Sequence, residues 1–244
     1  FITFAPILKF NTFPLAQIVD RMLEIAQQEI YTPVEIEFAA TIPSTGDMSI
    51  FNVLQIRPIS ADSLTAKVDW AKIDQSDPIL LSDSALGVGV VEGVRDIIYL
   101  KKSAFDPMQT RQMAQTLKEW NTQMRQQKRN YVLIGFGRWG STIPTLGVPV
   151  QWSDISEAKA IVECSLDNFR IDPSQGSHFF QNLTSFNIGY INVDPYSRPE
   201  DKYDEQKLNS IAAIDETNYI RHIRLEEDLS ITIDGYKSHA CIHL

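Results

Sequence analysis

The stretch Val34-Glu35-Ile36-Glu37-Phe38-Ala39, followed after a turn by Ile50-Phe51-Asn52-Val53-Leu54-Gln55-Ile56-Arg57, decides the fold of the N-terminal part of this chain. Both runs are rich in β-branched and aromatic residues. Pro43-Ser44-Thr45-Gly46-Asp47 between them supplies turn chemistry, so the pair reads as a β-hairpin that Pro58 ends. Side chains two apart on a strand share a face, which groups Glu35 with Glu37 and Gln55 with Arg57. A turn centred near Gly46 sets Glu37 opposite Gln55 and Glu35 opposite Arg57, although a loop of this length lets the register slip by a residue or two. Carboxylate, amide oxygen and guanidinium on one face suit magnesium and phosphate. Mg²⁺ wants oxygen ligands in near-octahedral array, and arginine forks onto phosphate oxygens. The same residue types also make an ordinary surface hairpin with a cross-strand Glu–Arg pair, and residue types alone favour that plainer reading.

Working outward, residues 1–12 read as a short strand or extended lead. They begin mid-pattern without a methionine, which suggests a piece of a longer protein. Pro14 opens a helix to about Gln28 with Leu15, Ile18, Met22, Ile25 and Ala26 on one face. Residues 60–78 are polar and mixed, the best candidate for a subdomain boundary. An apolar, glycine-containing stretch (79–94) and a strand at 96–101 follow. Asp106 and Pro107 start a helix to about Gln127, with Asp106 as N-cap, covering one edge of a sheet. Tyr131–Ile134 is a buried-type strand, then a Gly/Pro-rich loop runs to about Val150. Further strands are expected at 158–164 and 188–193, with a short helix at 176–186 and a weak one near 204–213. The tail from Asn218 alternates well enough for two or three antiparallel strands, with Asp234-Gly235 as a hairpin turn.

Composition narrows the function classes. The 244 residues carry a net charge of -9, which argues against a sequence-independent nucleic-acid binder. Arg125, Lys128 and Arg129 form the densest basic group, at a helix C-terminus that they would neutralise; that reading outweighs phosphate binding. Cys164 and Cys241 have no metal or redox spacing, which points to a reduced, cytoplasmic compartment. The apolar runs are of strand length, so no membrane span is expected.

The paired stretches Glu35-Ile36-Glu37-Phe38-Ala39 and Leu54-Gln55-Ile56-Arg57-Pro58 resemble the end of the nucleotide-binding domain of the phosphoenolpyruvate synthase and pyruvate phosphate dikinase family. That resemblance implies an ATP-grasp fold, ATP and Mg²⁺ as cofactors, and kinase-type phosphoryl transfer. It places Glu37 and Gln55 on the metal and Arg57 on phosphate. The rest of the chain resembles the portion that follows this motif in phosphoenolpyruvate synthase-like proteins of Bacteroidetes-type bacteria. It does so through Leu133-Ile134-Gly135-Phe136-Gly137-Arg138-Trp139-Gly140-Ser141, Leu146-Gly147-Val148-Pro149-Val150 and Pro173-Ser174-Gln175-Gly176-Ser177-His178-Phe179-Phe180-Gln181-Asn182-Leu183. The family's swivelling-domain histidine turn and its phosphoenolpyruvate-binding barrel have no counterpart in this sequence. Its ATP-holding lysine and glycine-rich loop would lie upstream of Phe1. The resemblance therefore implies a fragment that is inactive alone and is partnered by an upstream ATP-grasp lobe of the same parent chain.

Other candidates are weaker. His178, where a helix should begin, suits a phosphoryl acceptor, against a packing role beneath Phe179 and Phe180. His239 repeats a Ser-His-Ala string by accident. Gly135-x-Gly137-x-x-Gly140 follows a good strand, but Pro144 and Gly147 forbid the helix that a dinucleotide fingerprint needs. It reads better as a tight loop presenting Arg138 and Trp139 to an anionic or planar ligand, or pinning itself onto the sheet. Asp194, Asp201, Asp204, Glu205 and the Glu226-Glu227-Asp228 run read as solvated faces, and Trp120 and Trp152 as core or interface residues.

The expected architecture is α+β: the final lobe of an ATP-grasp domain at 1–60, a connecting segment at 61–130, and a smaller mixed-sheet α/β domain at 131–244. The alternative is a non-catalytic regulatory or ligand-binding module, or a phosphocarrier domain using His178.

Overall fold

A computed structural model describes residues 4–10, 12–30, 34–43, 48–58, 68–73, 75–170, 172–173 and 188–244. The chain divides into two compact units, residues 1–64 and 65–244. It is mixed α/β and largely β.

In the first unit, residues expected to be extended instead form a one-turn helix, α1 (Ala5–Leu8), with Pro6 in its first turn. Helix α2 (Leu15–Ile30) follows, and its Ala26 is buried. Strands β1 (Val34–Thr41) and β2 (Ile50–Pro58) pair antiparallel, and α2 contacts β1. The register matches Glu35 with Arg57, Ile36 with Ile56 and Glu37 with Gln55. It then shifts, so that Phe38 faces Val53 and Ala40 faces Phe51. The reason lies in the sequence of β2. Its apolar residues fall at 50, 51, 53, 54 and 56, and in a regular strand Phe51 and Val53 would face away from Ile56. One extra residue, Leu54, restores the alternation, as a β-bulge does. Phe38 and Phe51 stack with ring centroids 4.7 Å apart on the apolar face.

Among its described residues the second unit is built on two large sheets. Among the described residues one has seven strands. They are β4 (Ala85–Leu86), β6 (Asp96–Leu100), β7 (Tyr131–Phe136), β10 (Ala158–Cys164), β11 (Gly189–Val193), β13 (Ala213–Glu216) and β14 (Ile220–Arg224), in spatial order β13-β14-β6-β7-β10-β11-β4. The four central strands, β6 to β11, run parallel, and the flanking ones are antiparallel. These central strands are buried at all but one position, Lys159, as their near-continuous apolar runs require.

Helix α3 (Thr110–Gln126) makes the β6-to-β7 crossover. It buries Met113, Leu117, Trp120 and Met124, residues spaced along one helical face. A 3₁₀ turn at Pro107–Gln109 precedes it, capped as expected by Asp106, whose carboxylate accepts the Met108 N–H at 2.9 Å. The expected loop after β7 holds a small parallel ribbon, β8 (Arg138–Trp139) with β9 (Gly147–Val148).

The other large sheet is antiparallel and has five strands among the described residues. Its order is β12 (Lys202–Tyr203), β3 (Leu80–Ser82), β16 (His239–His243), β15 (Ser230–Asp234) and β5 (Val88–Val91). Asp234-Gly235 does form the turn between β15 and β16, and the Asp234 side chain accepts the N–H groups of Tyr236 and Lys237. The two sheets meet through glycine. A Cβ on Gly189 would lie 2.2 Å from Ile233 Cδ1, and one on Gly235 would lie 2.3 Å from the Gly87 carbonyl. The helix expected near 204–213 is confined to α4 (Glu205–Asn209), because β13 begins at Ala213.

The units part between Leu64 and Thr65, and the residues on either side of 130 belong to one unit. Strand β6, from the segment expected to be a connector, lies hydrogen-bonded between β7 and β14, while β3 and β5 pair with β16 and β15. Residues 65–244 share one core. No helix of the described residues is long and apolar enough to cross a membrane.

Candidate functional site

The hairpin brings together three of the five residues singled out as site candidates. Cross-strand partners share a face, so Glu35, Glu37, Gln55 and Arg57 stand on the face opposite Ile36, Phe38 and Ile56. Arg57 Nη2 donates to Gln55 Oε1 at 2.9 Å, and its Nε lies 3.7 Å from Glu35 Oε1. The Glu35 and Arg57 side chains are 40% and 34% exposed, so the pair is open to water and adds little to stability. An all-oxygen set from Glu37 and Gln55 fits a magnesium ion that keeps several waters and shares phosphate oxygens, which is how Mg²⁺ is usually bound. Gln55 would have to release Arg57, which would then turn its fork toward phosphate. Among the described residues no group of three or more His, Cys, Asp or Glu is placed to hold a metal ion.

Arg138 belongs to the second unit, where its Nε donates to the carbonyl of Asp172 at 2.7 Å. Its neighbour Trp139 is not presented to any ligand. Only 1% exposed, it donates Nε1–H to the Val162 carbonyl at 3.0 Å, and its ring fills the space beside Gly135. A Cβ on Gly135 would lie 2.3 Å from Trp139 Cζ2. Gly137 (φ 72°) and Gly140 (φ 78°) turn the chain in the left-handed region. The glycine spacing that imitates a dinucleotide fingerprint is thus accounted for by the indole at Gly135 and by left-handed turns at Gly137 and Gly140. His178 lies outside the described residues, as does the helix expected at 176–186.

Sequence reasoning passed over the buried polar groups. Glu163, 2% exposed on β10, accepts the Trp139 N–H at 2.9 Å and the Tyr190 hydroxyl at 2.6 Å. A carboxylate inside an otherwise apolar strand must be paired, and that was the available signal. Asp201, expected on a solvated face, is buried. It accepts the N–H groups of Asp83 and Asp194 and the Nε of Arg198, while Arg198 also reaches the Asn192 carbonyl and side chain. Asp204 caps α4, and Glu205 accepts the Lys102 N–H; burial pushes the Glu205 carboxyl up.

Asp96 opens β6 at 1% exposure. It accepts hydrogen bonds from Arg129 (Nε at 3.1 Å, and Nη2), from Arg224 Nη1 at 3.0 Å, and lies 2.8 Å from His222 Nε2. Burial opposes its ionisation, but the hydrogen bonds of His222 and Arg129, with the Arg129 charge, outweigh that and hold the carboxyl below its ordinary value.

No family model, no curated protein and no solved structure matches the chain.

Proposed function

We propose that the hairpin of the first unit supplies one jaw of an ATP-grasp-type site in an ATP-dependent phosphotransferase, with Glu37 and Gln55 toward Mg²⁺ and Arg57 toward the phosphates. One observation carries the reading: Glu37 pairs with Gln55 and Glu35 with Arg57 on a single open face. Phosphoryl transfer in such enzymes depends on positioning and charge neutralisation from both sides of the nucleotide. A single jaw leaves the other side open, so the upstream lobe of the parent chain is the partner in this proposal, and these residues alone do not turn over substrate. ATP then binds them weakly, at roughly millimolar concentration or above, because few contacts offset the cost of association.

The test replaces Mg²⁺ by Mn²⁺ and follows paramagnetic broadening of backbone amide signals of the 244-residue chain in the presence of ATP. The reading expects broadening centred on residues 35–37 and 55–57, lost in Glu37→Ala and weakened in Arg57→Ala. Broadening elsewhere, none at all, or a pattern indifferent to both substitutions overturns it.

A ligand-binding role for the second unit has its own support. A cleft of about 910 Å³, lined among others by Lys102, Asp201, Tyr203 and Glu205, opens beyond the carboxyl end of β6, the end at which open α/β sheets take ligands. The Tyr203 hydroxyl is buried there without a hydrogen-bond partner among the described residues. Soaking a fragment library into crystals of the chain tests this reading, and occupancy confined to other surfaces counts against it.

A further inference from the structure

The Asp96 cluster has more positive charge than its carboxylate needs. Arg129, Arg224 and His222 all converge on this one buried group. Beside it, at the amino ends of β6 and β7, lies a hollow of about 310 Å³. Its charged lining is Arg95, Lys128, Arg129 and Arg224 against Asp96 and Asp228, an excess of two positive charges in a chain whose net charge is -9. Three segments far apart in sequence bring these cations together: the approach to β6, the turn after α3 and the last residue of β14.

The three guanidinium groups are held in advance. Asp96 takes both Arg129 Nε and Nη2, and Gln127 takes Arg129 Nη1, so that guanidinium is anchored from two sides. Arg224 uses only Nη1 on Asp96, and Arg95 uses only Nε on Asp228, with Glu227 contributing a weaker field. Among the described residues this leaves the remaining N–H groups of Arg224 and Arg95 and the Lys128 ammonium without a protein acceptor. Lys128 sits in a left-handed turn (φ 53°) that lifts it from the end of α3. Arg125, the third member of the basic group, turns instead to Glu157 and Ser156. Neutralising the end of α3 therefore does not account for Lys128, Arg95 and Arg224 together.

We propose that this hollow binds a small dianion: inorganic phosphate or the head of a phosphate monoester. Both oxygens of Asp96 are engaged by cations, so its charge is largely offset, whereas the surplus guanidinium and ammonium donors suit a tetrahedral anion with several acceptor oxygens. A volume of about 310 Å³ is at the lower end for small-molecule sites and suits a headgroup better than a whole nucleotide. This site is independent of the hairpin and stands or falls apart from it.

The experiment titrates the 244-residue chain with inorganic phosphate and, separately, with glycerol 3-phosphate, at constant ionic strength, following backbone amide shifts. The proposal expects saturable movement of the amides of residues 95, 96, 128–130 and 224, with a dissociation constant on the order of millimolar. Tighter binding of the monoester identifies an organic phosphate as the occupant, and equal or tighter binding of phosphate identifies the inorganic ion. Lys128→Gln and Arg95→Gln, exposed positions that leave the Asp96 pairs intact, should each weaken binding about fivefold to tenfold. Shifts reproduced by chloride, movement that does not saturate by roughly 50 mM, or an affinity unchanged from the parent chain in both variants would overturn it.

Discussion

The Tyr190 hydroxyl donates to Glu163 Oε2 at 2.6 Å inside the parallel sheet, with both side chains sealed from water. Glu163 also holds the Trp139 N–H, so this carboxylate ties β10 to β11 and to the ribbon above them.

Tyr190→Phe leaves a buried carboxylate oxygen short of a donor and should lower stability by about 2 kcal/mol. Tyr203→Phe makes the same chemical change at a buried hydroxyl with no partner among the described residues, and should be neutral or stabilising. Urea unfolding of the two variants separates the cases, and equal losses would contradict the assignment of the partners.

Gly147 has φ 155°, and a Cβ there would lie 1.9 Å from the Arg138 carbonyl oxygen, in the β8–β9 ribbon. Backbone cannot retreat as a side-chain tip can, so Gly147→Ala should cost about 3 kcal/mol or more. Gly93 also has positive φ, 74°, but open space around its Cα, and Gly93→Ala should cost about 1 kcal/mol, the left-handed penalty alone. Thermal unfolding of the pair checks the ordering.

Asp96 gives the fold an acid-sensitive component. Its carboxyl is held below the ordinary value, so its stabilisation is complete above about pH 4 and is lost as pH falls through the native value. Asp96→Asn strands Arg129, Arg224 and His222 and should cost about 3 kcal/mol at neutral pH. It should also flatten the fall in stability below pH 4 or so. Urea midpoints measured from neutral to strongly acidic pH test both parts.

On the hairpin the opposite is expected. Glu35→Ala and Arg57→Ala remove an exposed cross-strand pair and should each change stability by no more than about 0.5 kcal/mol. A larger loss on thermal unfolding would mean that these side chains serve the fold rather than a ligand.

The hairpin register, the long helices and the buried strands were legible because each depends on local period and turn chemistry. The paired faces of 35–37 and 55–57 follow from alternation, whereas the register shift beyond Glu37 was legible only as a slip that the loop allows, because Ile50 and Leu54 blur the parity of Phe51, Val53 and Ile56. Strand order was not legible. Nothing near residues 96–100 announces that they will lie between 131–136 and 220–224, and without that order the segment looked like a connector. The buried acids were misread for a related reason. Asp201 sits in a polar loop, and what buries it are backbone N–H groups at 83 and 194 and the guanidinium at 198. The cationic hollow is likewise a product of topology, since only two of its four cations are close in sequence.

The Trp139 indole standing where Gly135 has no side chain has a practical use. The two positions can change only together: a side chain at 135 demands a smaller residue at 139, and a smaller residue at 139 opens a void beneath the ribbon. The pairing of Gly135 with Trp139 in the string Gly-Phe-Gly-Arg-Trp-Gly is therefore a mark of architecture. A chain that carries it directly after a buried parallel strand should fold its ribbon in the same way, whatever it binds.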